Sequence, residues 1–239
     1  MWIHIFVQLM VIGLFFLLGW VIRFKEQYML LSGFNNRPEA EQKELIERGY
    51  PQKAGSLLIY TAVGMLLLFP LIFTSFPYVV EVQYGFMTLF LLGGFIYLSR
   101  FEIPAKRKKS LWYGSIFSTV VIGFIVILFY IGSQSNDLIV KRDTFEISGM
   151  YGNEWKLADI ERIQVLTELP KVHYKENGFN AGNLLKGNFY LETFGSSLLF
   201  IRGGSPYLLI VTKDKTIFIN GEDSKETQQW YKKLNDTIQ

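Results

Sequence analysis

The chain has 239 residues, half of them hydrophobic and about one in six aromatic, with a formal net charge of +3 and no cysteine. A composition this apolar exceeds that of an ordinary soluble domain and points to a membrane protein. The missing cysteines exclude disulfides, thiolate catalysis and Cys-ligated metal.

Charge divides the chain near Asn136. Before it lie 11 Lys and Arg against 7 Asp and Glu, and from it onward 13 against 14, so the positive excess belongs to the first part. The reading is therefore two regions, a four-helix transmembrane region over 1–135 and a second domain over 136–239.

In chain order, four apolar runs approach or reach the roughly 20 residues that a helix needs to cross a bilayer. They fall at about 2–22, 55–73, 83–98 and 111–131. The first lacks a basic leader and a small-residue cleavage site, so it reads as a retained helix rather than a signal peptide. Pro70 is expected to kink the second near its end. In the third, Gly93 and Gly94 leave small surfaces where another helix can approach.

Every basic residue before Asn136 lies in two of the connecting loops. One holds Arg23, Lys25, Arg37, Lys43, Arg48 and Lys53, and the other Arg100, Lys106, Arg107, Lys108 and Lys109. Lys and Arg in short loops resist translocation, which puts both loops in the cytoplasm and both termini outside it, in a multi-pass protein of the plasma membrane. The run Lys106–Lys109 thus reads as an orientation signal lying near anionic headgroups. Nucleic acid is excluded as its partner, because a short loop between membrane helices offers no folded surface of stacking aromatics.

Within the first loop, Asn36 is expected to cap a short helix with Pro38 in its first turn, Glu39 and Glu41 at its positive end, and Gly49 as its stop. The stretch Ser32, Gly33, Phe34, Asn35 after an apolar first helix, followed by a charged helix and two more apolar helices, resembles an uncharacterised family of small bacterial membrane proteins. The likeness spans about residues 1–100 and implies no activity.

After residue 136 the pattern turns to short alternating segments bounded by Gly, Ser, Pro and Asp. "DTFEISGMYGNEWKL" predicts a hairpin with Phe145 and Ile147 on one face. "IERIQVLTEL", "GNFYLET", "SLLFIRG", "YLLIVTKD" and "KTIFING" complete about seven strands. The end is helical, with Asp223 or Ser224 as cap and Thr227, Trp230, Tyr231, Leu234 and Ile238 on one stripe.

This order is similar to the bacterial pleckstrin-homology-like domains, in which a Leu-Pro, an Asn-Gly loop and a Gly-aromatic strand start follow the third strand. Here these are Leu169 with Pro170, Asn177 with Gly178, and Gly187 with Phe189. The resemblance implies an all-β PH-like barrel closed by a C-terminal helix, a fold of binding and interaction domains.

The candidate binding loop is "NGFNAGNLLKG", where Asn177, Gly178, Gly182, Asn183 and Gly187 offer amides to an anion and Lys186 adds charge. A purely structural loop of left-handed residues is its plainer explanation. No motif supplies a catalytic, metal or cofactor site: His4 and His173 stand apart, and no spacing pairs an acid with a base. The expectation is a non-catalytic membrane protein presenting an extracytoplasmic PH-like domain to a protein, a peptide or an envelope component, in sensing or protection. Its alternatives are an accessory subunit of a transporter or envelope complex, with Gly93 and Gly94 at the interface, and a membrane enzyme with carboxylates near Gly182.

Overall fold

The structure is a computed structural model that describes residues 2–74 and 76–238. They cluster into two compact units, Met1–Phe124 and Ile125–Gln239, each with its own core.

The first unit is helical. It contains α1 (Trp2–Phe24), the short α2 (Glu39–Glu47), α3 (Tyr50–Leu68), α4 (Val79–Leu98) and the start of α5 (Pro104–Ser133), which carries the chain into the second unit. Four segments are long and apolar enough to cross a membrane: His4–Phe24, Tyr50–Phe73, Val79–Phe101 and Pro104–Ser133. All four expected crossings are helices, with boundaries that differ in instructive ways.

The α-helix of the second crossing ends at Leu68, and the turn tightens into a 3-10 segment over Phe69–Phe73 that contains Pro70. A proline offers no N–H to continue the α pattern. The third crossing begins earlier than expected, at Val79, with Glu81 in its first turn beside the positive helix end. Lys106–Lys109 are not in a loop: Pro104 opens α5 and the four basic residues form its first exposed turns. Asn36 does not cap α2, since Pro38 takes that position. Gly49 does stop it, with φ +75° and its N–H on the Ile46 carbonyl.

Small residues set the helix contacts. A side chain on Gly19 of α1 would meet the Gly55 carbonyl of α3 at 2.6 Å, and one on Gly55 would meet the Gly19 carbonyl at 2.8 Å. Gly64 makes room for Phe86, and Gly94 is filled by Leu57 of α3, whereas Gly93 meets nothing. The hydroxyl of Thr61 bonds back to Leu57 on its own helix rather than across helices. A polar tie between helices comes instead from Gln83 of α4, whose Nε2 donates to the Leu68 carbonyl.

The second unit has nine strands in two sheets, not seven in a barrel, and no closed barrel forms among the described residues. β1 (Leu138–Val140), β2 (Thr144–Ile147) and β3 (Asn153–Lys156) make an antiparallel meander. The larger sheet contains β4 (Ile160–Leu166), β5 (Val172–Ala181), β6 (Leu184–Leu191), β7 (Gly195–Arg202), β8 (Tyr207–Thr212) and β9 (Thr216–Ile219). Its order is β4-β8-β9-β7-β6-β5, with β7 and β9 parallel and the other neighbours antiparallel.

The sheets do not close because β4 and β5 stay as edges of the larger one. The expected loop from Asn177 onward begins inside β5, most of whose residues are exposed and which lacks the period-2 apolar signal. Its charged residues Lys175 and Glu176 suit a guarded edge.

β7, β8 and β9 are buried on both faces. Leu198, Phe200, Leu208, Ile210, Ile217 and Ile219 join a core that includes Phe145, Ile147 and, from α6 (Ser224–Ile238), Trp230 and Leu234. Leu199, Ile201, Leu209 and Phe218 join Phe189 and Leu191 in a second core on the opposite face. α6 is capped by Asp223, whose carboxylate accepts the Glu226 N–H, and its stripe buries Thr227, Trp230 and Leu234, leaving Ile238 exposed.

Candidate functional site

The proposed binding loop is a β-hairpin. Asn177 and Gly178 lie on β5 opposite Asn188 and Gly187 of β6, and Gly182 with Asn183 forms the tight turn. Gly182 has φ +54°, which suits the first central position of a type II′ turn. Gly187 has φ +110°, and a side chain there would strike the Asn177 carbonyl at 2.5 Å. These glycines let two strands approach beside a register shift between Lys175 and Asn177. The six residues are therefore spread along the hairpin rather than gathered into one nest.

One of them turns elsewhere. Lys186 is only 2% exposed, and its Nζ donates to the carbonyl of Gln134, just after the last turn of α5. It lines a polar pocket of about 270 Å³, together with Asn136, Asp137, Arg202, Glu222 and Trp230. Among the described residues no carboxylate forms an ion pair with Lys186. Burial, reinforced by the like charge of Arg202, holds its ammonium below the usual lysine pKa.

The rest of the lining is more fully engaged. Asn220 locks the wall by accepting from the Arg202 N–H and donating to the carbonyls of Arg202 and Gly204. Glu222 pairs with Arg202 at 3.1 Å, and Glu226 accepts the Glu222 N–H. Asp137 is exposed at the rim. Asn136, 8% exposed, donates from Nδ2 to the carbonyls of Ser148 and Met150, while its buried Oδ1 has no donor among the described residues.

The hairpin also rests on the end of α5. Phe179 of β5 meets Phe129 edge to face, with centroids 5.8 Å apart, and its ring packs where Gly132 has no side chain. Lys186, Phe179 and the last turns of α5 thus form one contact region beside the pocket.

In the helical unit the two basic segments meet, the second of them at the start of α5. Arg37 donates two hydrogen bonds to Glu102, at 2.7 and 2.9 Å, and Lys106 reaches Glu41 at 2.7 Å. The Glu102 side chain is 3% exposed. Burial alone would raise its pKa, but the Arg37 hydrogen bonds, the Ile103 N–H and the charges of Arg37 and Lys106 outweigh burial and hold it low. Phe34 packs beside this tie with Ile22, Tyr28, Leu45 and Ile103. Arg100 lies over the Tyr97 ring and Lys109 over Tyr113, while Arg107 and Lys108 are exposed.

Of the residues that line the pocket, the sequence singles out Lys186 as a binding candidate; it does not mark Asn136 or Arg202, nor the Arg37–Glu102 pair. No local signal marks them, because the partners lie 52 residues apart for Lys186 and Gln134 and 65 apart for Arg37 and Glu102. No curated protein and no solved structure matches the chain. Residues 9–102 match the family model described as "Domain of unknown function (DUF3784)", a span that runs from α1 to Glu102 and stops before α5 and the sheets.

Proposed function

We propose that this chain is a non-catalytic, multi-pass membrane protein whose sheet unit acts outside the cytoplasm as a PH-like binding module in envelope sensing or protection. The observation that carries the reading is Lys186: one buried side chain both lines a polar pocket and holds the end of the last membrane-length helix. A ligand in that pocket sits beside the contact that joins the domain to α5.

A two-sheet domain ending in a packed amphipathic helix supports the PH-like kinship, while the parallel β7–β9 pair and the open edges depart from a simple barrel. The meeting of the two basic segments supports the orientation. Both belong at one end of the helices, and the positive-inside rule assigns that end to the cytoplasm. An even number of crossings then returns the sheet unit to the N-terminal side.

The test uses the absence of native thiols. Intact cells carrying Ser110→Cys or Ser224→Cys are exposed to a membrane-impermeant maleimide. Labelling of Ser224→Cys alone is expected. Labelling of Ser110→Cys alone would move the sheet unit into the cytoplasm and end this proposal.

A further inference from the structure

We infer that the polar pocket takes a small zwitterion, with its anionic end inward on Lys186 and its ammonium outward at the rim. The inference rests on reading the sheet unit as a binding module and names what it binds.

The inward end follows from charge. Lys186 is the deeply buried charge of the pocket, and its hydrogen-bond partner Gln134 offers a neutral carbonyl. A buried cation without a counter-charge is costly, and a carboxylate or phosphate oxygen supplies both the charge and a charge-assisted hydrogen bond. Arg202, at the same wall, adds to the attraction for an anion even though Glu222 partly satisfies it.

The outward end follows from the rim. Asp137 and Glu222 are exposed there, so a ligand carrying only negative charge meets repulsion as it enters. An ammonium supplies what these groups lack, namely positive charge and N–H donors. Phe200 and Trp230 give the pocket an apolar wall for a short spacer.

Size agrees with this chemistry. About 270 Å³ equals roughly nine waters at ~30 Å³ each, enough for a molecule of amino-acid size and too little for a folded peptide segment. Two sources present an ammonium and an anionic group on a short spacer: a free amino acid and a phosphoethanolamine headgroup.

The experiment titrates the full-length protein in detergent with L-alanine, O-phosphoethanolamine, acetate and ethylammonium, reading the thermal midpoint. At least one zwitterion is expected to act at a tenfold lower concentration than either singly charged control. The better zwitterion identifies the source as amino acid or headgroup. Lys186→Met is expected to abolish the response. Asp137→Asn, at an exposed position, is expected to weaken the zwitterion towards the acetate level.

Acetate matching the zwitterions would overturn the inference, as would a response unchanged in Asp137→Asn or the absence of any response. A null titration leaves the maleimide pattern untouched. A reversed maleimide pattern overturns the outside placement and leaves the titration untouched.

Discussion

In the helical unit one helix is fixed on another by small residues and a few polar ties, such as Gly19 against Gly55 and Arg37 on Glu102. In the sheet unit the same three strands bury apolar side chains on both faces. The difference follows from the solvent each is built for. Lipid is as apolar as leucine, so burying a leucine between membrane helices gains little, and specificity passes to close backbone approach and hydrogen bonds. Water expels apolar area at about 25 cal/mol per Å², so the sheet unit is held by the amount it hides.

The strongest way to sharpen this contrast is to empty the sheet core. Phe218 is fully buried and meets Phe194 edge to face at 5.3 Å. Phe218→Ala is expected to cost about 3–5 kcal/mol, seen as a lowered midpoint of the near-ultraviolet circular dichroism signal on heating in detergent. A shift close to zero would mean that the second core contributes little.

Next comes the ion pair. Arg37→Ala leaves the Glu102 carboxylate buried beside an absent partner and is expected to cost about 3 kcal/mol, the low end for buried pairs because Arg37 itself is partly exposed. The pH dependence has a definite sign. Glu102 is held below the ordinary glutamate value of 4.5, so its contribution is complete above that value and disappears as pH falls through the lower folded one. Thermal midpoints measured from pH 6 downward should show this acid-labile contribution in the parent and not in Arg37→Ala.

The smallest effect concerns a single methyl group. Gly19→Ala places a carbon 2.6 Å from the Gly55 carbonyl, and α1 must shift away from α3. The expected cost is about 1–2 kcal/mol, because lipid allows the helix to move, measured as the loss of far-ultraviolet helical signal on heating. The same substitution at Gly93, which meets nothing, should leave the midpoint unchanged.

The sequence made the crossings legible because a run of apolar residues needs no partner to be recognised. The hairpin of β2 and β3 was legible for a similar reason, since Phe145 and Ile147 alternate with polar neighbours. β5 is not, because an exposed edge strand carries no burial pattern and its Asn177-Gly178 pair resembles a loop. β1 is three residues long and too short for any periodicity to show. The basic run Lys106–Lys109 stands out by its charge, but its helical start does not, since charge says nothing of backbone shape. In the candidate site, Lys186 stood out as a cation among glycines, whereas its relation to Gln134 and Asn136 depends on how β6 returns to the linker.

The distance in sequence between Arg37 and Glu102 also orders events in time. During synthesis at roughly 5–20 residues per second, the 65 residues between them take about 3–13 s to appear. Arg37 emerges after the first crossing, and its carboxylate arrives only when the second and third have been made. Until then the loop relies on local contacts around Phe34. The pair therefore closes as a latch on a finished three-helix insertion, and an early arrest of the chain would leave it open.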